Sequence, residues 1–105
     1  HGLTHGDLYA HNVMARASDG EAKLGDFGAA YTYRGGAFTG AHAAALERIE
    51  VRAFGCLVEE IAARLAPGAG GDLADALGSI ARKCMAEDVA GRPGFDEVSN
   101  ALLCC

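Results

Sequence analysis

The sequence has few basic residues and no long apolar run, and each absence excludes a class of protein. Nine Lys and Arg side chains stand against 14 Asp and Glu side chains in 105 residues, which gives a net charge of −5. Because nucleic-acid phosphates are bound by clustered Lys and Arg, we expect no nucleic-acid partner. No apolar run approaches the roughly 20 residues that a transmembrane helix requires, so we expect no membrane span.

The four cysteines form no C-x-x-C pair, which argues against a zinc site. Cys56 and Cys84 fall on apolar helical stripes, so we expect buried, reduced thiols in a cytoplasmic protein. The histidines show no spacing typical of metal ligands either; they are His1, His5, His11 and His42. No signal peptide is visible, but the chain begins at His1 rather than Met, so we expect an excerpt of a longer protein.

Half of the residues are apolar, which predicts a globular chain with a core. Residues 13–25 predict a β-hairpin, because two short strand-forming segments flank the turn sequence Ser18-Asp19-Gly20. Residues 31–40 are rich in Gly and Thr and lack periodicity, so they predict a mobile loop.

Helical spacing dominates the rest of the chain. The first helix is predicted from about Leu46 to Leu65, the second has Asp72 as its N-cap, and the third follows residues 92–94. The predicted core residues of the three helices are Val51, Phe54, Cys56, Leu57, Val58, Ile61, Ala62 and Leu65, then Leu73, Ala76, Leu77, Ile80, Ala81 and Cys84, then Phe95, Val98 and Leu102. The predicted fold class is therefore mainly α, with a small β-hairpin packed against about three helices.

Two short segments contain side chains suited to chemistry. His5-Gly6-Asp7 is followed by Asn12, and Asp26 lies in Leu24-Gly25-Asp26-Phe27-Gly28 directly after the predicted second strand. Asn12 and Asp26 stand at opposite ends of one hairpin, so we expect their side-chain oxygens to meet over one cleft. Amide and carboxylate oxygens suit Mg²⁺, which keeps its other positions for water and phosphate.

The chain carries an H-x-D-x-x-x-x-N segment, then a hairpin, then a D-F-G segment. In this order, the first and last segments resemble the catalytic loop and the metal-binding loop of the protein kinase superfamily. The resemblance implies a protein-kinase-like C-terminal lobe, which is part of an α+β kinase fold. Residues 1–30 would be the catalytic loop, hairpin and D-F-G segment, residues 31–46 a shortened activation segment, and residues 47–105 a helical bundle. ATP and Mg²⁺ are the implied cofactors, with Asp7 and Asn12 as catalytic residues and Asn12 and Asp26 as metal ligands.

The resemblance also implies packing roles around these residues. His5 and Phe27 would stack in the spine that links the two kinase lobes, with Gly28 completing the D-F-G segment. Met14 would form the floor beneath adenine, and a plain core position is the alternative for this residue.

The second half of the chain extends the resemblance. Residues 50–55 resemble the start of the kinase central helix, where Glu50 would accept hydrogen bonds from the catalytic-loop backbone. Residues 84–98 resemble the late C-x-x-x-D to R-P-x-F-x-E-V element, closest to the tyrosine-kinase and receptor-like branches. By the same resemblance Arg92 would pair with Glu47, since a planar guanidinium suits a bidentate pair. The alternative is that Arg92 and Glu47 are two unrelated surface charges.

Four departures weaken the match. Gly6 stands where many kinases carry the Arg that binds an activation-loop phosphate, so activation through Tyr31, Thr32, Tyr33 or Thr39 is not expected. Tyr9 stands where serine/threonine kinases carry Lys, so the acceptor residue is not assigned.

Residues 45–47 are a degraded A-P-E, and the segment that holds a peptide is short. No glycine-rich loop precedes the catalytic loop, so an upstream N-lobe of the parent chain is expected to bind the nucleotide, and this part alone is expected to be inactive.

Three functions are compatible with these observations. The first is a protein kinase that transfers phosphate from ATP to a protein hydroxyl. The second is a small-molecule phosphotransferase similar to choline and aminoglycoside kinases, which also use H-G-D with a later Asn. The third is a catalytically silent pseudokinase that serves as a binding module.

Overall fold

The computed structural model describes residues 2–33, 40–65 and 71–104. These residues form two small antiparallel sheets and three α-helices, so the predicted mostly helical α+β class is confirmed. The chain order is β1 (Leu3–Thr4), β2 (Val13–Ala15), β3 (Ala22–Leu24), β4 (Tyr31–Thr32), α1 (Gly40–Ala63), α2 (Gly71–Cys84) and α3 (Phe95–Leu103). Single turns of 3₁₀ helix cover Ala10–Asn12 and Val89–Gly91.

Strands β2 and β3 form the predicted hairpin, with Val13 opposite Leu24. Hydrogen bonds from Arg16 N to the Glu21 carbonyl and from Gly20 N to the Arg16 carbonyl, both 2.8 Å, close its turn. Gly20 has a φ of +73°, a conformation that glycine adopts without steric cost. The hairpin lies almost entirely on the surface, so backbone pairing and turn chemistry define it more than burial does.

A second sheet, which the sequence did not predict, pairs β1 with β4. Leu3 lies opposite Thr32 and Thr4 opposite Tyr31, and Tyr33 N donates to the Gly2 carbonyl at 2.8 Å. The expectation of a mobile loop beginning at residue 31 is therefore wrong for its first residues. Residues 34–39, with Thr39, lie outside the described part of the chain, as do His1, residues 66–70 and Cys105.

Helix α1 begins at Gly40, well before the predicted start near Leu46. Alanines at positions 41 and 43–45 have the highest helix propensity of any residue, and they extend the helix through the segment expected to be an activation loop. The helix ends at Ala63 rather than at Leu65. Ile61, predicted to be in the core, is 48% exposed.

The core lies where α1 crosses α2 and α3. Val51, Ile80, Cys84 and Val98 are buried there, and the side chains of Phe54 and Phe95 pack against them. The two Phe rings meet edge to face with centroids 6.0 Å apart, a favourable aromatic geometry. Burial of each large apolar side chain contributes about 1.5–3 kcal/mol to folding.

Several predicted details of the helices are wrong. The Cys56 thiol is exposed, whereas that of Cys84 is buried as expected. Leu73 and Leu102, both predicted to be in the core, are partly exposed, and each lies near a helix end. Asp72 lies in the first turn of α2 rather than at its N-cap, because the helix already begins at Gly71. None of the described helices has both the length and the apolar character that crossing a membrane requires.

Candidate functional site

The loop from His5 to Asn12 closes on itself through the Asn12 side chain. Asn12 is buried, and its Nδ2 donates to the Asp7 carbonyl at 2.8 Å and to Asp7 Oδ2 at 3.3 Å. The 3₁₀ turn helps to bring these residues together, because Asn12 N donates to the Tyr9 carbonyl at 3.0 Å. The five-residue spacing of Asp7 and Asn12 therefore corresponds to direct contact between them.

Glu50 on α1 holds the beginning of this loop. Its carboxylate is buried and accepts hydrogen bonds from His5 N at 2.9 Å and Gly6 N at 3.2 Å, as the resemblance implies. It also accepts a 2.5 Å hydrogen bond from Thr4 Oγ1. Hydrogen bonds to an ionised acceptor are stronger than neutral ones. The role of Thr4 was missed, since no local pattern in the sequence connects it with α1.

His5 forms hydrogen bonds in addition to the packing contact expected of it. Its Nε2 lies 2.7 Å from the Gly25 carbonyl, and Asp7 N donates to its Nδ1 at 3.2 Å. The two contacts assign the proton to Nε2, because Nδ1 acts as an acceptor. The ring also contacts that of Phe27, with centroids 4.9 Å apart. His5 thus joins the loop that carries Asp7 to the segment that carries Asp26.

Asp26 leaves the hairpin beside Asn12. Gly25 N donates to the Asn12 carbonyl at 2.8 Å, which extends the β2–β3 pairing by one step. Asp26 then adopts a φ of +54°, in the left-handed region that non-glycine residues rarely occupy. Such conformations concentrate at functional sites. A Cβ at Gly28 would lie 3.4 Å from Asp26 Oδ1, so the glycine leaves room around this carboxylate.

The side chains of Asn12 and Asp26 offer an amide oxygen and a carboxylate, which are donor types that Mg²⁺ binds. Both side-chain hydrogen bonds of Asn12 use Nδ2, and within the described ranges no donor reaches its Oδ1. Asp26 is exposed, and its carboxylate makes no hydrogen bond to another described residue. The described residues contain no cluster of three or more His, Cys, Asp or Glu side chains that could hold a metal. Mg²⁺ commonly binds one or two protein oxygens together with substrate phosphates and water, so this small donor set matches its chemistry.

Met14 lies on the surface of the hairpin and not in a core. Its side chain is 66% exposed, so the alternative of a plain core position is wrong. Its Cε lies 3.6 Å from the position that a Cβ on Gly25 would occupy. A shallow groove of about 370 Å³ runs alongside it, lined by Met14, Ala15, Arg16, Glu21 and Lys23. An apolar side chain is therefore presented on the same hairpin whose end carries Asn12 and Asp26.

Glu47 and Arg92 do not form the expected ion pair. Both are buried, but Arg92 donates from Nε to the Ala86 carbonyl at 2.7 Å and from Nη1 to the Arg48 carbonyl at 3.1 Å. Glu47 instead accepts from Phe95 N at 3.0 Å and pairs with Arg48 at 3.1 Å. The expectation is wrong because both side chains have other partners: Glu47 caps α3, and Arg92 satisfies two backbone carbonyls. Their alternative, two unrelated surface charges, is also wrong.

A groove of about 380 Å³ lies beside Asp7, between the loop and α1. Its described lining consists of Gly6, Asp7, Leu8, Tyr9, Ala29, Tyr31, Ile49, Glu50 and Ala53. The Tyr9 ring is nearly parallel to that of His11, with centroids 5.6 Å apart, which fixes one wall. The lining therefore combines apolar and aromatic side chains with carboxylates, and none of these residues is Lys or Arg.

Comparisons of the chain with protein-family models, curated proteins and solved structures find no match.

Proposed function

We propose that this chain is the catalytic lower lobe of a protein kinase, which transfers the γ-phosphoryl group of ATP to a protein hydroxyl with the help of Mg²⁺. The observation that carries the proposal is the pair of contacts made by Asn12. Its side chain binds Asp7, and its backbone carbonyl binds the residue preceding Asp26. A base and two metal-ligand candidates thereby converge on one end of the hairpin.

Asp7 would accept the proton of the attacking hydroxyl and orient that hydroxyl toward phosphorus. Phosphoryl transfer depends mainly on positioning and on charge stabilisation, so a fixed carboxylate matters more than a strong base. Glu50 holds the backbone before Asp7. The N–H of Asp7 donates to His5, and the carbonyl of Asp7 accepts from Asn12. The carboxylate is therefore presented, from a backbone with little freedom, to the groove beside Asp7, where the acceptor hydroxyl would lie.

Asn12 and Asp26 would hold the magnesium ion, which would neutralise negative charge on the phosphates when bound. Met14 would offer an apolar surface for the adenine ring. The remaining nucleotide contacts would come from an upstream N-lobe in the parent chain.

Small-molecule phosphotransfer is the second candidate, and one observation favours it. A Cβ at Gly6 would lie 2.3 Å from the Ala29 carbonyl oxygen, so the backbone leaves no room for the Arg found in many protein kinases. The backbone of this loop therefore requires the H-G-D form, and choline- and aminoglycoside-kinase-like enzymes also use H-G-D with a later Asn.

The proposal is tested with the full-length protein, labelled ATP, Mg²⁺ and a mixed protein substrate. Asp7→Asn and Asp26→Asn should each lower phosphate transfer at least about a hundredfold, the usual effect of losing a positioned base or metal ligand. Asp75→Asn, an exposed carboxylate on α2, is the matched control and should keep full activity. Circular dichroism would check that all three variants fold.

Two other results would each replace the proposal. Transfer to free alcohols such as choline or an aminoglycoside, with none to protein, would establish the small-molecule activity. Absence of both phosphate transfer and Mg²⁺-dependent ATP binding would leave a pseudokinase binding module.

A further inference from the structure

Thr4 is the most deeply buried polar residue in the described ranges, with 2% of its surface exposed. It lies in β1, where the neighbouring Leu3 is 52% exposed, so the two side chains point to opposite sides of the strand. A buried hydroxyl that lacks a hydrogen bond costs free energy. The hydroxyl of Thr4 avoids that cost by donating to Oε2 of Glu50 on α1, at 2.5 Å.

The Glu50 carboxylate accepts hydrogen bonds from three consecutive residues. Its Oε1 accepts from His5 N at 2.9 Å, whereas its Oε2 accepts from both Thr4 Oγ1 at 2.5 Å and Gly6 N at 3.2 Å. The hydroxyl and the Gly6 amide therefore share one oxygen, and the hydroxyl makes the shorter contact. A length of 3.2 Å is at the long end of the range for N–H···O hydrogen bonds. Thr4 thus fixes the place of Oε2 more firmly than Gly6 does.

The Glu50 side chain would have more freedom without the hydroxyl. The terminal torsion of a glutamate is broad, so the carboxylate can turn about its last bond unless its oxygens are held. Such a turn would lengthen the hydrogen bond to Gly6, the residue that directly precedes Asp7. Thr4 is itself held, because it lies opposite Tyr31 in the pairing of β1 with β4. The paired strands, the hydroxyl and the carboxylate therefore form one continuous support for the loop that carries Asp7.

We propose that Thr4 is a positioning residue for phosphate transfer. Its hydroxyl holds Glu50 Oε2 where that oxygen binds Gly6 N, and through this contact it fixes the direction of the Asp7 carboxylate. The inference rests on the proposed function and adds to it a residue outside the H-x-D-x-x-x-x-N and D-F-G segments. Loss of the hydroxyl should therefore lower kcat and leave the KM for ATP nearly unchanged, whereas a threonine that only fills space would affect stability and not kcat.

The test compares two substitutions of Thr4 in the full-length protein, with labelled ATP, Mg²⁺ and a mixed protein substrate. Thr4→Val keeps the shape without the hydroxyl, and it should lower the apparent kcat about tenfold or more, as loss of a hydrogen bond to a charged group does. Thr4→Ser keeps the hydroxyl and should stay within about threefold of the wild-type value. Thr32→Val is the matched control, because it makes the same change at an exposed position of β4, and it should keep full activity. Circular dichroism would check folding, and Thr4→Ala would replace Thr4→Val if that variant did not fold.

A double variant tests whether Thr4 acts through Glu50. Glu50→Gln keeps the size of the side chain but replaces one accepting oxygen by an NH₂ group. Adding Thr4→Val to Glu50→Gln should lower kcat by less than about threefold further, because the effects of two residues that act through one contact do not add. Losses that multiply would show that Thr4 acts independently of Glu50 and would overturn the proposal.

Hydrogen exchange of the Gly6 amide gives a readout that does not depend on catalysis. Thr4→Val should raise its exchange rate about tenfold or more relative to that of Gly25, whereas Thr4→Ser and Thr32→Val should not. Gly25 is the reference because its amide donates to the Asn12 carbonyl and not to Glu50. This result would support the hold of Thr4 on the loop even if phosphate transfer were absent, so the two proposals can fail separately.

Three other results would each overturn the positioning role and leave the kinase proposal standing. The first is a wild-type kcat in Thr4→Val. The second is an equal loss in Thr4→Ser and Thr4→Val, which would assign the effect to the methyl group. The third is an unchanged exchange rate of the Gly6 amide in Thr4→Val.

Discussion

At the scale of single residues, the conformation of Gly6 determines what the loop before Asp7 can contain. Its φ is +80°, and an added Cβ would lie 2.3 Å from the Ala29 carbonyl oxygen and 2.9 Å from the carbonyl carbon. A backbone neighbour cannot rotate away as a flexible side chain can. The absence of an arginine here is therefore a steric requirement of this backbone and not only a change of charge.

We expect Gly6→Ala to destabilise the protein and to lower phosphate transfer. The left-handed conformation alone costs roughly 1–2 kcal/mol for a residue with a Cβ. Gly20→Ala is the matched control, because Gly20 has a φ of +73° with nothing within 4 Å of its Cβ position. Urea unfolding should show that Gly6→Ala lowers the free energy of unfolding by about 1 kcal/mol or more beyond the effect of Gly20→Ala, because Gly6→Ala adds a steric clash to the conformational cost. Equal losses would show that the loop moves aside without cost.

The resemblance predicted part of the candidate site. The hydrogen bonds that Glu50 accepts from the loop before Asp7 agree with that expectation. The contact between Asp7 and Asn12 was not predicted. The pairing of Glu47 with Arg92 was wrong, since competition between alternative partners depends on distances that the sequence does not contain. Thr4 was missed for the same reason: its partner lies on a helix far along the chain.

At the scale of elements, helices α1 and α2 touch at Gly55. A Cβ there would lie 2.7 Å from Cys84 Cβ and 2.9 Å from Met85 Cγ. Glycine is a poor helix residue, costing about 1 kcal/mol relative to Ala in a helix interior. The close approach of the two helices explains why it stands in the middle of α1.

We expect Gly55→Ala to destabilise the protein by about 1–3 kcal/mol, as overpacking of a filled core does. Gly78→Ala, the control in the middle of α2, should instead stabilise by about 0.5–1 kcal/mol, because its nearest neighbour is the flexible Arg82 side chain at 3.5 Å. The midpoint temperatures of thermal unfolding of the two variants should therefore shift in opposite directions from that of the wild type. A stabilising Gly55→Ala would show that the helices can separate freely.

Elements with strong periodicity or turn chemistry were predictable, and elements formed by distant pairing were not. The hairpin and the three helices carry local signals, whereas β1 and β4 are two-residue strands that exist only because they pair with each other. The early start of α1 was missed because a run of alanines has no apolar face to mark it. The exposed Cys56 was misassigned because a helical stripe shows periodicity but not which face the neighbouring helix covers.

At the scale of the whole molecule, the buried Cys84 thiol links stability to pH. Burial raises the pKa of Cys84 above its ordinary value of 9.0, because the interior disfavours the thiolate. The unfolded chain therefore loses this proton at a lower pH than the folded chain. The stabilising contribution is complete below pH 9.0 and declines as the pH rises through the raised value.

We expect the free energy of unfolding of the wild-type protein to fall more steeply with pH above 9.0 than that of Cys84→Ala. Other groups that titrate in this range are common to both proteins and cancel in the comparison. Cys56→Ala removes an exposed thiol and should follow the wild-type slope. Parallel slopes for wild type and Cys84→Ala would show that the thiolate is accommodated in the folded state.

The two buried carboxylates of α1 have a consequence for how the molecule opens. Glu47 accepts a hydrogen bond from the first residue of α3, and Glu50, less than one turn further along, accepts hydrogen bonds from the loop before Asp7. If either contact opened, its buried carboxylate would lose a hydrogen-bond donor, close to the other contact. The two contacts therefore stabilise each other. The loop and the C-terminal helix should therefore belong to one cooperative unit in hydrogen exchange, with their amides protected and released together.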